Sequence, residues 1–192
     1  MEKATIDYNI RVRLPIALLV AVVTYFTTFF YSFDERNMVG YQPEQPIKFS
    51  HKLHAGEMGM DCRYCHVGVD KSRHSTIPSL DTCMNCHSVV KKDGSPEIAK
   101  LIKYYEDDVP LPWVRIHKVP EHVYFNHSVH INKGLDCSEC HGNVKEMEVV
   151  HHAKAHTMGF CLKCHRQAHD EVTDKEVIKK IQGPQNCVSC HR

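Results

Sequence analysis

A chain of 192 residues with 24 basic and 23 acidic side chains, and a net charge of +1 when its histidines are neutral, lacks the positive surplus that nucleic-acid binding requires. Its composition stands out instead for ten cysteines and sixteen histidines. Metal, cofactor and disulfide chemistry must therefore be weighed first.

Residues 1–13 are polar and carry Lys3, Arg11 and Arg13. Residues 14–33 run twenty positions without a charge, enough for one transmembrane helix. Positive charge before the span and Asp34-Glu35 after it predict a cytoplasmic N-terminus, with Tyr25, Tyr31 and the phenylalanines forming an aromatic belt at the outer end. A cleaved signal peptide has a shorter apolar region and a small-residue cleavage site, and no such site follows Phe33, so the expectation is an uncleaved anchor. Residues 34–48, with Gly40, Pro43 and Pro46, read as a linker.

Residues 49–90 open on Phe49-Ser50-His51-Lys52-Leu53-His54 and then carry Cys62-Arg63-Tyr64-Cys65-His66 and Cys83-Met84-Asn85-Cys86-His87. Residues 91–124 carry no such motif. Ser95 and Pro96 predict a helix start, Ile98, Leu101, Ile102 and Tyr105 mark one helical face, and Pro110 and Pro112 force an extended arm that bears the only tryptophan, Trp113, and His117. Residues 125–192 repeat the opening as Phe125-Asn126-His127-Ser128-Val129-His130. Three motifs follow, at Cys137/Cys140/His141, Cys161/Cys164/His165 and Cys187/Cys190/His191. Thr173-Asp174-Lys175-Glu176 predicts one more capped helix, ended by Gly183-Pro184.

All ten cysteines thus fall in five C-x-x-C-H motifs, the attachment signature of c-type haem. Two thiols add to the two vinyl groups of one porphyrin, and the adjacent histidine takes one axial position on iron. Zinc sites would pair the motifs into four-ligand sets, which five cannot do evenly, and zinc has no need of a histidine after each pair. Disulfides explain those histidines no better.

The expected cofactors are therefore five covalently attached haem c groups, with His66, His87, His141, His165 and His191 as proximal ligands. Residues 34–192 leave about 32 residues per motif, too few for an ordinary apolar core. The predicted fold is mainly α with extensive irregular loops, cored by haem, behind one N-terminal transmembrane helix. Haem is attached outside the bacterial cytoplasm, which puts the haem domain on the periplasmic side of the inner membrane.

Each iron has one further axial position. His51, His54, His127 and His130 are the strongest candidates, because their placement repeats in both halves. The fifth position is open to His117, Met147 or Met158; methionine is also a haem ligand. His151, His152 and His156 form a cluster that titrates or is simply solvated, and His74, His122 and His169 read as surface residues.

The F-x-H-x-x-H followed by C-x-x-C-H resembles the class III multihaem cytochromes. That resemblance implies that His51 serves the iron of His66, His54 that of His87, His127 that of His141 and His130 that of His165. His117 or a methionine is then left for His191. The span, FSHKLHAGEMGMDCRYCH, WVRIHKVPEHVYFNHSVHINKGLDCSECHG and MGFCLKCHR together resemble the membrane-anchored pentahaem cytochrome subunit of alternative complex III. This implies a respiratory, quinol-oxidising assembly with iron–sulfur, polytopic quinol-binding and monohaem cytochrome subunits, passing electrons to a cytochrome or terminal oxidase. Two rival readings are a pentahaem reductase, which needs an open iron, and a stand-alone membrane-anchored multihaem quinol dehydrogenase.

Overall fold

The computed structural model describes residues 7–91, 94–166 and 183–191. The predicted capped helix after Thr173, and His169, lie outside them. The chain divides into two compact units, Met1–Met38 and Val39–Arg192.

In the first unit a π-helical turn, Asn9–Arg13, runs into helix α1, Leu14–Asn37. Among the described residues one helix, over Asn9–Ser32, is long and apolar enough to cross a bilayer, which makes it a candidate membrane anchor. Its apolar side chains are exposed from Leu14 through Tyr31. Its hydroxyls turn inward on the helix: Thr27 Oγ1 donates to the Val23 carbonyl at 2.8 Å and Ser32 Oγ to that of Phe29 at 3.2 Å. Both polar groups are satisfied without water, as a lipid surrounding demands.

The second unit is helical in short pieces joined by long irregular segments. The Lys52–Glu57 π-helical turn is followed by α2 (Cys62–Cys65), α3 (Leu80–His87), α4 (Pro96–Glu106), α5 (His127–Ile131), α6 (Ser138–His141) and α7 (Met158–Arg166). There are also 3₁₀ turns at Val144–Glu146 and Cys187–Ser189. Among the described residues there is no strand, only an isolated antiparallel bridge between Val123 and His191.

Helix α4 forms where the sequence predicts it: the Ser95 side chain accepts from the Ile98 N–H, Pro96 stands at the first position, and Leu101 points inward. Its Glu97 accepts from the Lys48 N–H at 2.9 Å. The glycine- and proline-bearing stretch before it is tied down along its length. Gln45 donates to the Val114 carbonyl and accepts from the Val114 N–H, each at 2.9 Å. Gly40 N–H donates to the His152 carbonyl and His152 N–H to that of Tyr41. These residues act as a strap over the extended arm and the histidine-rich segment.

The apolar interior is very small. Of the described hydrophobic residues only Ile47, Val69 and Leu101 are buried, and the largest fully buried side chain is His152, 1 % exposed. A hydrophobic core of that size stabilises no domain of this length unaided.

Candidate metal centres

Each C-x-x-C-H lies on one helical turn, which brings the two sulfurs to one face because residues three apart on a helix are neighbours. The turn closes when the histidine N–H donates to the first cysteine's carbonyl: His66 to Cys62 at 2.9 Å, His141 to Cys137 at 3.0 Å, His191 to Cys187 at 2.8 Å. The residue just before the first cysteine caps three of these turns. Asp61 accepts from Arg63 N–H, Asp136 from Ser138 N–H and Asn186 from Ser189 N–H, at 2.8 to 3.0 Å.

Two imidazoles sharing one metal each place a nitrogen about 2 Å from it, with the ring centre roughly 1 Å beyond, so their ring centres lie about 6 Å apart. Among the pairs that join a repeat histidine to a motif histidine, three have this spacing. His54 and His87 are 6.3 Å apart, His127 and His141 6.4 Å with planes 3° apart, and His130 and His165 6.2 Å with planes 28° apart. His51 is half-buried, and burial, then the nearby His66 and His54, lower its pKa to about 4. Its Nδ1 is buried without a partner.

The ring nitrogen that faces away from a metal is ordinarily held by a hydrogen bond, which fixes the tautomer and the ring. Six of these histidines have Nδ1 against a backbone carbonyl. The acceptors are Ser50 for His54, Thr76 for His66, Val90 for His87, Arg73 for His127, Asn126 for His130 and Pro184 for His165, at 2.7 to 3.0 Å. Every one leaves Nε2 free to face iron. His156 is reversed, with Nε2 against the Cys140 carbonyl at 2.9 Å, which sets it apart from the ligand type.

The repeated phenylalanine has a geometric role that sequence spacing alone left unassigned. Phe49 stacks on His54 at 4.4 Å and stands edge-on to His51 at 4.8 Å; Phe125 stacks on His130 at 4.6 Å and stands edge-on to His127 at 4.8 Å. One ring therefore steers both histidines of each pair, in two nearly identical copies.

His117 lies elsewhere than beside His191. Its ring is 4.4 Å from that of His141, perpendicular to it and too close for an iron between them, and it adjoins His152 and His156 at 5.1 and 5.8 Å. Burial, followed by these neighbours, lowers its pKa to about 3, and Nε2 is buried without a partner. Met147 packs by Gly142 and accepts from the Lys52 N–H through its carbonyl. Met158 is 65 % exposed at the start of α7. The histidine whose ring lies against His191 is His122, at 5.3 Å with planes 21° apart. His122 is exposed, as a surface reading expects, and its one trace in the sequence is its place three residues before the repeated phenylalanine, where the first module has Pro46.

Among the described residues no three histidines, cysteines or acids converge on a metal position, and none of the ten cysteines is in a disulfide. Neighbouring motifs do meet. Burial, with Cys62 hydrogen-bonded alongside, pushes the Cys137 thiol up to about 11; burial, with Cys164 and Cys161 nearby, pushes Cys140 to about 11. Cys83 is raised by burial and by Cys65, and Cys161 by burial and by Cys190.

Residues 32–108 match the class III cytochrome c family, and residues 123–192 match cytochrome c7 and related cytochrome c. The chain is 34 % identical over 100 residues to the multiheme cytochrome c subunit of menaquinone reductase from Nitratidesulfovibrio vulgaris, a match covering 52 % of this chain. It spans about half the length of that relative, 47 %. These families carry covalently bound haem c, and the helical C-x-x-C-H turns, the spaced imidazole pairs and the carbonyl-held Nδ1 atoms fit that group. Two stretches of the chain are thus similar to c-type cytochromes of the class III and c7 families.

Proposed function

We propose that this chain carries five haems and serves as the membrane-anchored electron-transfer subunit of a quinol-oxidising respiratory complex of the alternative complex III type. Residues 49–90 form a dihaem module and residues 125–192 a trihaem module, with Cys62/Cys65, Cys83/Cys86, Cys137/Cys140, Cys161/Cys164 and Cys187/Cys190 as the attachment pairs. The single observation that carries the electron-transfer reading is the set of imidazole pairs 6.2 to 6.4 Å apart, one on each side of a would-be iron. Bound haem supplies one-electron ferric–ferrous cycling. At the three sites with paired imidazoles, histidines on both sides would leave no place for a substrate on the iron, which argues against a reductase there. His51 facing His66, His54 facing His87, His127 facing His141 and His130 facing His165 are the assignments we adopt.

The proximity of thiols to one another supports an order for the sites. Cys62 and Cys137 are hydrogen-bonded, and Cys65 lies within electrostatic reach of Cys86 and Cys83, Cys140 of Cys161 and Cys164, and Cys161 of Cys190. The sequence in space is therefore the motif of His87, then His66, His141, His165 and His191. Cys86 and Cys187, at the two ends of that series, are the two exposed cysteines of the ten. Electrons enter at one exposed end and leave at the other. The α1 span anchors the subunit in the inner membrane with the haem domain in the periplasm, among iron–sulfur, polytopic quinol-binding and monohaem cytochrome partners.

A second reading, favoured by the relative's name, is a subunit of a menaquinone-reducing complex, in which the flow is reversed. Affinity purification of the tagged chain from its native membranes separates the two. The first reading expects about five haems per chain by pyridine haemochrome, reduction of those haems by added quinol, and a co-purifying monohaem cytochrome. Haems that quinol leaves oxidised, but that pass electrons from a reduced donor to menaquinone, would overturn it in favour of the second.

A further inference from the structure

We propose that His122 is the distal axial ligand of the haem attached at Cys187 and Cys190, opposite His191. This rests on the five-haem reading above and supplies the one position it leaves open. The His122 and His191 rings are 21° from parallel, as the His130 and His165 rings are 28° from parallel, and their centres are 5.3 Å apart. Opening that gap by about 1 Å gives the spacing two imidazoles need around a metal.

The backbone holds the two histidines to one another. Val123 bridges His191, the Tyr124 N–H donates to the Cys190 carbonyl at 2.8 Å, and the Val123 N–H donates to the Pro120 carbonyl at 2.9 Å, closing a turn with His122 at its tip. Residues on both sides of His122 are thus fixed, and the residue just after it is bonded to the very motif it would serve. Among the described residues no comparable backbone tie connects the alternatives to this site: His117 is packed perpendicular to His141, Met147 lies by Gly142, and Met158, exposed as His122 is, stands at the start of α7 with no bridge to His191.

The repeat gives an independent reason. Counting back three residues from the phenylalanine of each F-x-H-x-x-H finds His122 in the second module but Pro46 in the first. The second module has three attachment motifs against two in the first. The module with the extra haem has the extra histidine.

The test uses the full-length, haem-loaded chain in detergent, with His122→Phe and His122→Met compared with wild type by pyridine haemochrome, low-temperature electron paramagnetic resonance and carbon monoxide binding. His122→Phe is expected to keep five haems while one fifth of them turns high-spin and binds carbon monoxide. His122→Met, which preserves ligation should the phenylalanine variant lose haem, is expected to replace one bis-imidazole signal with an imidazole–thioether signal. Five haems with unchanged signals in either variant overturn the inference, the more clearly if His117→Phe or Met158→Ala yields the high-spin fraction. A wild-type chain carrying fewer than five haems would instead sink the reading on which it rests.

Discussion

His117 is a base kept neutral by its surroundings, and the consequence can be measured. Its ordinary value of 6.5 falls to about 3 in the fold, first through burial and then through His141, His152 and His156. The unfolded chain therefore takes up a proton that the folded chain refuses, so stability is intact above about pH 6.5 and declines as pH falls toward about 3. His51 and His141 are lowered to about 4 in the same way, but iron on Nε2 would withdraw both from titration and leave His117, with His156 lowered by burial beside it, as the contributors. The denaturant midpoint, followed by the Soret band, should drop between about pH 7.5 and about pH 5. His117→Gln should flatten that drop; an unchanged slope in the variant would mean that the loss comes from elsewhere.

At the scale of the element, what could be read in advance was whatever depends on neighbours in the chain. Helix α4 was legible because Ser95, Pro96 and the Ile98, Leu101, Ile102, Tyr105 face are all local signals. The attachment turns were legible because three-residue spacing fixes the sulfurs to one side. The strap over residues 39–48 was not, since Gly40, Pro43 and Pro46 signal irregular backbone without saying what it pairs with, and its partners Val114, Val149 and His152 lie far along the chain. The ring contact of the exposed His122 with His191 was hidden for a similar reason, because it passes through a bridge between distant residues. Gly183 has the same kind of hidden role. A Cβ there would lie 2.5 to 2.7 Å from the His165 ring, whose Nδ1 is held by the next residue's carbonyl, Pro184 O, at 2.8 Å. Gly183→Ala should push that ring off its axis and weaken one low-spin signal, while haem content stays constant. Unperturbed resonance signals would show that the 183–184 segment simply moves aside.

At the scale of the whole molecule, a near absence of buried hydrophobic side chains among the described residues has to be reconciled with a definite arrangement of histidines and thiols. Ile47, Val69 and Leu101 supply little burial, at about 25 cal/mol per Å² of apolar area. The bulk of the stabilisation must come from the covalently held porphyrins around which these short turns are wrapped, much as small metal domains draw their folding energy from the bound group. Position along the proposed series then decides what a deletion does. Cys137 and Cys140 belong to the middle site, adjoining Cys62 on one side and Cys161 and Cys164 on the other. Replacing both with alanine should therefore cost both structure and continuity: a lowered thermal midpoint for the whole second unit, and separate reduction of the two remaining haem pairs. The matching change at Cys187 and Cys190, an end site, should leave the other four haems in rapid exchange and remove only transfer to the partner at that end. Stopped-flow reduction of the two double variants, each first checked for four haems per chain, distinguishes these outcomes. Equal behaviour of the two would contradict a linear order and favour a branched cluster, in which losing any one site leaves a route through the rest.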